Sequence, residues 1–307
     1  MILICGIPSE SPLQMVTRQL EAMGAEFVFF NQRKFDDCGI SLDVGTSGAT
    51  GELKLEGQRY SLADIRGSYS RLMDDRDLPE LQEEPKDSER RRRCRRLHDV
   101  LTQWMEIAPG CVINRAGPMA SNMSKPYQAQ LIRECGFAVP KTLVTNVPEL
   151  VREFRSLHGR VIYKSMSGAR SIVQELSDED EERLDLVRHC PTQFQAFVDG
   201  TNVRVHTVGE EVFATAIQSE ATDYRYATQQ KGKAAEMREV ELSDELAEKC
   251  VGLAKHLGLE FAGIDLKITD EDEVYCFEVN PCPAFSYYES HTGQGISEAV
   301  ARRLAAA

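Results

Sequence analysis

A mixed α/β (α+β) fold that opens on a Rossmann-like domain is predicted by three stretches of this sequence. Residues 2–31 run from an apolar segment (I-L-I-C-G-I) through an amphipathic one to a second apolar segment (E-F-V-F-F-N), the pattern of a βαβ unit. Residues 160–176 read as strand, small-residue loop and strand. Residues 261–283 read as strand, acidic turn and strand.

Composition narrows the function. The 307 residues are 42% hydrophobic, enough for two or three domains with sizeable cores. The start, M-I-L-I-C-G-I-P, has no basic region and too short an apolar run for a signal peptide, and no apolar stretch reaches about 18 residues, so no membrane partner and a cytoplasmic location are expected. Nine cysteines without a C-x-x-C pair fit reduced thiols, and six histidines without H-E-x-x-H spacing give no zinc pattern. The net charge of −13 argues against nucleic acid as a partner, although a local basic pocket is allowed.

In chain order, residues 2–7 form a buried-type strand and residues 12–23 a helix stopped at Gly24. No G-x-G-x-x-G follows that strand, so a dinucleotide site is not expected there. Residues 47–60 read as a hairpin, 65–72 as a strand, and the polar 73–81 segment as a loop able to face a cleft. Residues 89–104 (E-R-R-R-R-C-R-R-L-H-D-V-L-T-Q-W) form a helix with one very basic end, read as a solvated face, with docking of an acidic peptide as the rival.

A short strand at 111–114 leads into a Gly/Pro/Asn junction at 115–123, taken as the first domain boundary. Ser124 can then cap a helix to Gly136 with Pro126 in its first turn, placing Lys125 at the very start. A helix over 148–157 precedes the 160–176 hairpin. That hairpin's first strand ends in Lys164, and its tip at 165–171, with Ser167 and Gly168, offers N–H groups and hydroxyls to phosphate oxygens. Residues 178–189 form an acidic helix and 194–200 an apolar strand. An antiparallel pair around Gly209 sets Arg204 on one face with Asn202 and His206, and a polar loop carrying Arg225 is expected to be mobile. A helix over 243–257 comes next.

The 261–283 hairpin organises the chemistry. Alternation puts Asp265 and Lys267 on one face with Ile264, Leu266 and Ile268 opposite. On the second strand Glu278 and Asn280 share a face, with Tyr275, Phe277 and Val279 opposite, before Pro281 and Pro283 end the ladder. Two carboxylates and an amide make an oxygen-only set with open positions, suited to Mg²⁺ that shares phosphate oxygens, so a nucleotide is expected. The aromatic 284–295 stretch then carries Tyr287, Tyr288 and Glu289 close to this site, and a helix over 296–305 ends the chain.

Taken together, the helix-heading lysine, the hairpin lysine and E-V-N-P-C-P-A-F-S-Y-Y-E resemble the ATP-grasp superfamily, within it the RimK-like branch that includes ligases of microviridin-type (graspetide) peptides. The resemblance implies an N-terminal pre-ATP-grasp domain at 1–115, a central subdomain with the phosphate-loop hairpin at 116–192, and a C-terminal subdomain with the Mg site at 193–307. It implies that Lys125 and Lys164 hold ATP phosphates, that Gln195, Phe197 and Val198 line the adenine cleft, the last two through backbone groups, and that Asn202 lies near the ribose. Asp265, Glu278 and Asn280 match Mg²⁺ ligands, with Glu278 bridging two ions and Mn²⁺ as a possible substitute. Arg204, Arg225 and Lys267 match positive groups around the reacting phosphate and carboxylate. Two positions depart from the pattern: Ala196 stands where many members have glutamate, and Cys282 where a small hydroxyl or alanine is common.

The function this implies is an ATP-dependent carboxylate–amine or carboxylate–hydroxyl ligase. It would act through an acyl phosphate on an amino acid or peptide, release ADP and phosphate, and form a possible homodimer. Such chemistry needs positioning and charge neutralisation more than a protein nucleophile. The alternatives are a nucleotide-binding protein that docks a peptide without turnover, and a kinase-like phosphotransfer whose phosphorylated product persists.

Overall fold

The computed structural model describes residues 1–46, 48–165, 173–219, 232–233 and 235–307. The first sheet has four parallel strands in the order Phe27–Asn31, Ile2–Gly6, Gly67–Ser70, Cys111–Ile113. A parallel sheet must be covered on both faces, and the alternation along Ile2–Gly6 shows how. Leu3 and Cys5 pack with Leu97, Leu101 and Trp104 of the helix Glu89–Ile107. Ile2 and Ile4 pack with Leu13, Val16 and Leu20 of the helix Ser11–Ala22. The same cluster takes in Ile296, Val300 and Leu304 of the last helix, Ile296–Ala305, so the end of the chain returns to cover the first sheet. The expected hairpin is observed as Gly48–Leu55 paired with Gln58–Ser61, and Gly39–Gly45 extends it into a three-stranded antiparallel sheet.

The basic end of the helix Glu89–Ile107 is tied to the loops beside it. Arg91 is buried, donating to the Asp75 carboxylate and carbonyl at 3.1 Å each and to the Leu81 carbonyl. Arg95 grips the same carboxylate at 3.0 Å through two nitrogens, Arg90 reaches Asp36 and the Glu80 carbonyl, and Arg93 reaches the Asp36 and Cys38 carbonyls. These arginines pin the 74–84 loop and the turn before Gly39, while Arg92, Arg93, Arg95 and Arg96 stay exposed, so the run keeps its expected solvated face and Arg91 alone is buried in the scaffold.

A second antiparallel sheet orders Gln174–Glu175, Val161–Ser165, Thr192–Ala196 and Thr142–Thr145 around Val151, Val161, Leu184 and Phe194. The expected acidic helix is split into Asp178–Glu181 and a 3-10 turn, Leu184–His189. A Ser177 capping box starts it, but the D-E-D-E-E run has no apolar stripe to carry it further.

The third antiparallel sheet, called the third sheet below, has the order Glu236–Val240, Glu211–Gln218, Thr201–Val208, Phe261–Ile268, Val274–Asn280. Ile264, Leu266 and Val279 face the helices Lys125–Glu134 and Asp244–His256, with Ile132, Cys250 and Leu253 in one core. The edge strand Glu236–Val240 (E-M-R-E-V) lacks an apolar alternation, and the helix Ser286–Thr292 lies in the stretch read only as aromatic and glycine-containing. Among the described residues no helix is long and apolar enough to cross a membrane.

Candidate active site

Pairing in the third sheet builds the site in rows. Arg204 stands opposite Asp265, and Asp265 opposite Glu278. His206, Gly263 and Asn280 form the row on one side; Asn202, Lys267 and Tyr275 form the row on the other. The expected convergence of Asp265, Glu278 and Asn280 is therefore present across three neighbouring residues of each strand. One part differs. The register shifts at Asp265/Leu266, so Leu266 pairs with Cys276, which is buried in the core, while Tyr275 pairs with Lys267 on the site's side. The bulge undoes the simple alternation expected for Tyr275 and Phe277 and re-aims the strand beside the carboxylates.

Helix Lys125–Glu134 closes this row from the end. Its buried Gln128 donates to the Val279 carbonyl at 2.8 Å and accepts from the Val279 N–H at 3.0 Å, which fixes the helix to the strand. One turn earlier the Lys125 ammonium forms an ion pair with Glu278 Oε1 and donates to Asn122 Oδ1 at 2.8 Å. Burial opposes ionisation of Glu278, but Lys125, with Lys164 and Arg204, overrides it and holds the carboxyl below its usual range. Ser124 occupies the N-cap position without a side-chain cap bond.

Arg204 is buried, and its Nη1 donates to Asp265 Oδ1 at 2.7 Å. Its guanidinium crosses Gly263, where a Cβ would lie 2.0 Å from Nη2. A glycine within a strand often marks such a close approach, and F-A-G-I-D is the sequence signal that could have found it. Glu289 serves the fold: it accepts from the Ser297 N–H at 2.7 Å and hydroxyl at 2.6 Å, capping the last helix.

In the sheet that holds Val161–Ser165, Lys164 pairs with Gln193, and Gln195 with Thr142, whose hydroxyl accepts from Gln195 Nε2 at 3.0 Å. The Phe197 N–H donates to the Arg160 carbonyl at 2.9 Å, and the Arg160 guanidinium lies 3.7 Å above the Phe197 ring. Lys267 donates to the Val198 carbonyl at 2.9 Å, with burial lowering its ammonium below the usual range against the pull of Asp199. Two backbone groups of the expected adenine hinge are thus engaged within the protein. Asn202 lines a cavity of 430 Å³ with Gln218, Met237 and Arg238. Ser167, Gly168 and Arg225, with most of the hairpin tip and the loop that carries Arg225, lie outside the described residues.

Two residues unmarked in sequence tie the site to the first sheet. Asn114 Nδ2 donates to the Phe261 and Pro281 carbonyls at 2.6 Å each, while Oδ1 accepts from the Glu260 and Phe261 N–H groups. Arg71 donates to Glu10 at 2.6 Å and to Cys282 Sγ and the Pro283 carbonyl at 3.1 Å. Burial pushes the Cys282 thiol up, with Arg71 opposing it.

Asp265, Glu278 and Asn280 offer hard oxygen donors, and a cation, Lys125, already stands at Glu278. The Asn280 oxygen accepts from the Cys282 N–H at 2.9 Å, which orients the carboxamide and leaves a second lone pair. Among the described residues no group of three His, Cys, Asp or Glu is placed to hold an ion. An ion here would need this two-carboxylate, one-amide set completed by phosphate and water, which fits Mg²⁺.

A family model for the RimK-like ATP-grasp domain matches residues 125–304. A probable alpha-L-glutamate ligase of Legionella pneumophila (strain Corby) is 26% identical over 210 residues, 64% of this chain and 68% of that protein. The ATP-grasp ligase PsnB, solved with minimal precursor, Mg and ADP, superposes with a TM-score of 0.81 at 27% identity, covering 99% of this chain and 96% of that one. The macrocyclase MdnC of Microcystis aeruginosa MRC, solved with precursor peptide MdnA, shares the fold at a TM-score of 0.81 and 22% identity, covering 99% and 98%.

Proposed function

This chain belongs to the RimK-like ATP-grasp ligases, and from that premise we propose that it joins a carboxylate to an amine or hydroxyl of a peptide through an acyl phosphate. The observation that carries the reading is the Arg204–Asp265–Glu278 row closed by Lys125, which sets two carboxylates between two cations on one sheet face. A peptide is favoured over a free amino acid because PsnB and MdnC, similar to this chain over 99% of its length, were solved with precursor peptides.

In this reading a substrate carboxylate oxygen attacks the γ-phosphorus as the bond to ADP breaks. The amine or hydroxyl then attacks the acyl carbon, and phosphate leaves carrying the former carboxylate oxygen, while the nucleophile's proton passes to solvent. Asp265, Glu278 and Asn280 would hold Mg²⁺, two ions if Glu278 bridges, and Mn²⁺ would substitute. Bound there, Mg²⁺ neutralises the charge gathering on the phosphate oxygens. Lys125 exchanges Glu278 for a phosphate oxygen when nucleotide enters, and Lys164 supplies a second positive charge beside it. Arg204, held by Asp265, orients the γ-phosphate and the carboxylate. Lys267 steadies the 197–198 hinge against which the base lies. Arg225 joins the reacting groups as an expectation carried by the family resemblance.

The test is turnover of ATP by the purified chain with Mg²⁺ and a pool of peptides bearing Asp, Glu, Lys, Ser and Thr. ADP, phosphate and a peptide lighter by one water per bond are expected. AMP formation, or a persistent phosphopeptide, would contradict the reading.

A further inference from the structure

We propose that His206 is a positioning residue that fixes the plane of the Arg204 guanidinium, with Gly263 as the gap the guanidinium crosses; the inference rests on Arg204 belonging to the reaction centre. Arg204 and His206 lie on the same face of the strand Thr201–Val208, and Gly263 pairs directly with His206 on the next strand. Arg204 Nε donates to His206 Nε2 at 3.4 Å, a long bond that completes three-sided confinement. Asp265 holds Nη1, His206 faces Nε, and the bare backbone of Gly263 lies beneath Nη2, where a Cβ at 2.0 Å would collide.

The chemistry fixes the state of the ring. A guanidinium has no acceptor, so an imidazole nitrogen facing it must accept, which requires a neutral ring carrying its proton on Nδ1. His206 is fully buried, and burial first and Arg204 second drive its basicity well down, in keeping with that state. Among the described residues Nδ1 has no hydrogen-bond partner. A leucine would fill the space between the Phe261 ring at 6.2 Å and the Tyr288 ring at 5.0 Å without burying an unpaired N–H. The imidazole therefore costs stability that apolar packing would not, and the one polar contact it gains is with Arg204. Tyr288, 5.5 Å from the guanidinium, closes the open side of the same slot.

The test compares variants that differ in reach. In H206Q the carboxamide oxygen arrives near the position of Nε2; in H206N it stops near Nδ1. Steady-state kinetics with ATP, Mg²⁺ and peptide should leave kcat of H206Q within about threefold of wild type, and lower kcat of H206N at least about tenfold at unchanged ATP KM. G263A should behave like H206N, and the thermal midpoints of the Gln and Asn variants should agree. Equal kcat for H206Q and H206N, or wild-type kcat for G263A, would overturn the proposal. R204A provides the separating control. Loss of turnover there with indifferent His206 variants refutes the positioning role alone, whereas wild-type turnover in R204A refutes the reading of the reaction centre and this inference with it.

Discussion

Lys125 and Glu278, 153 positions apart, form an ion pair where the helix Lys125–Glu134 meets the strand Val274–Asn280. The pairing is specific because Gln128, one turn further along the helix, clamps the neighbouring Val279 backbone in both directions. The ammonium is thus a cation on a carboxylate proposed to hold Mg²⁺.

Substituting Glu278→Ala should abolish turnover, by at least about a hundredfold, because it removes the carboxylate shared by Lys125 and the proposed ions. Far-UV circular dichroism should be unchanged, since the side chain is not part of the apolar core. Retained activity in a folded variant would remove the metal assignment.

The pH dependence of stability follows from the same pair. The Glu278 pKa lies below its usual value, so its contribution is fully present above the unfolded-state pKa and is lost as pH falls through the folded one. In Lys125→Met, burial is less opposed and the folded pKa rises. The thermal midpoint of the metal-free variant should then fall short of wild type at neutral pH, with the gap shrinking on acidification through the carboxylate range. A gap constant from neutral pH to about pH 3 would contradict this.

Asn114→Ala removes a side chain that serves two carbonyls and two N–H groups. Leaving buried backbone groups unsatisfied should cost about 2–4 kcal/mol, read as a lower thermal midpoint. Activity should fall as well, because Pro281 directly follows Asn280. A midpoint within about 1 °C of wild type would show that these groups find other partners.

Arg71→Met should leave Glu10 and the Pro283 carbonyl without their shared donor and lower stability by roughly 2 kcal/mol. It also removes the positive charge that opposes burial at Cys282, so alkylation of that thiol at neutral pH, measured by mass spectrometry under native conditions, should not accelerate. Faster alkylation would mean that Arg71 protects the thiol by packing rather than by charge.

The strands that carry Asp265, Lys267, Glu278 and Asn280 were legible because a period of two is visible in one segment. The bulge at Asp265/Leu266 was not, because register belongs to a pair of strands. Arg71 reaches Cys282 across 211 positions and Asn114 reaches Phe261 across 147, and nothing local marks either residue for its partner. The arginines of Glu89–Ile107 show the converse: a run of charge announces itself, while the carboxylates and carbonyls that absorb it lie elsewhere in the chain. Gly263 was readable in principle, as a glycine inside a strand, but what passes over it comes from the neighbouring strand.

The central claim is that a carboxylate oxygen passes to phosphate. Peptides whose side-chain carboxylates carry ¹⁸O, incubated with the protein, ATP and Mg²⁺, should yield ADP and phosphate bearing one ¹⁸O for each bond formed. Unlabelled phosphate accompanying bond formation would contradict the acyl-phosphate account.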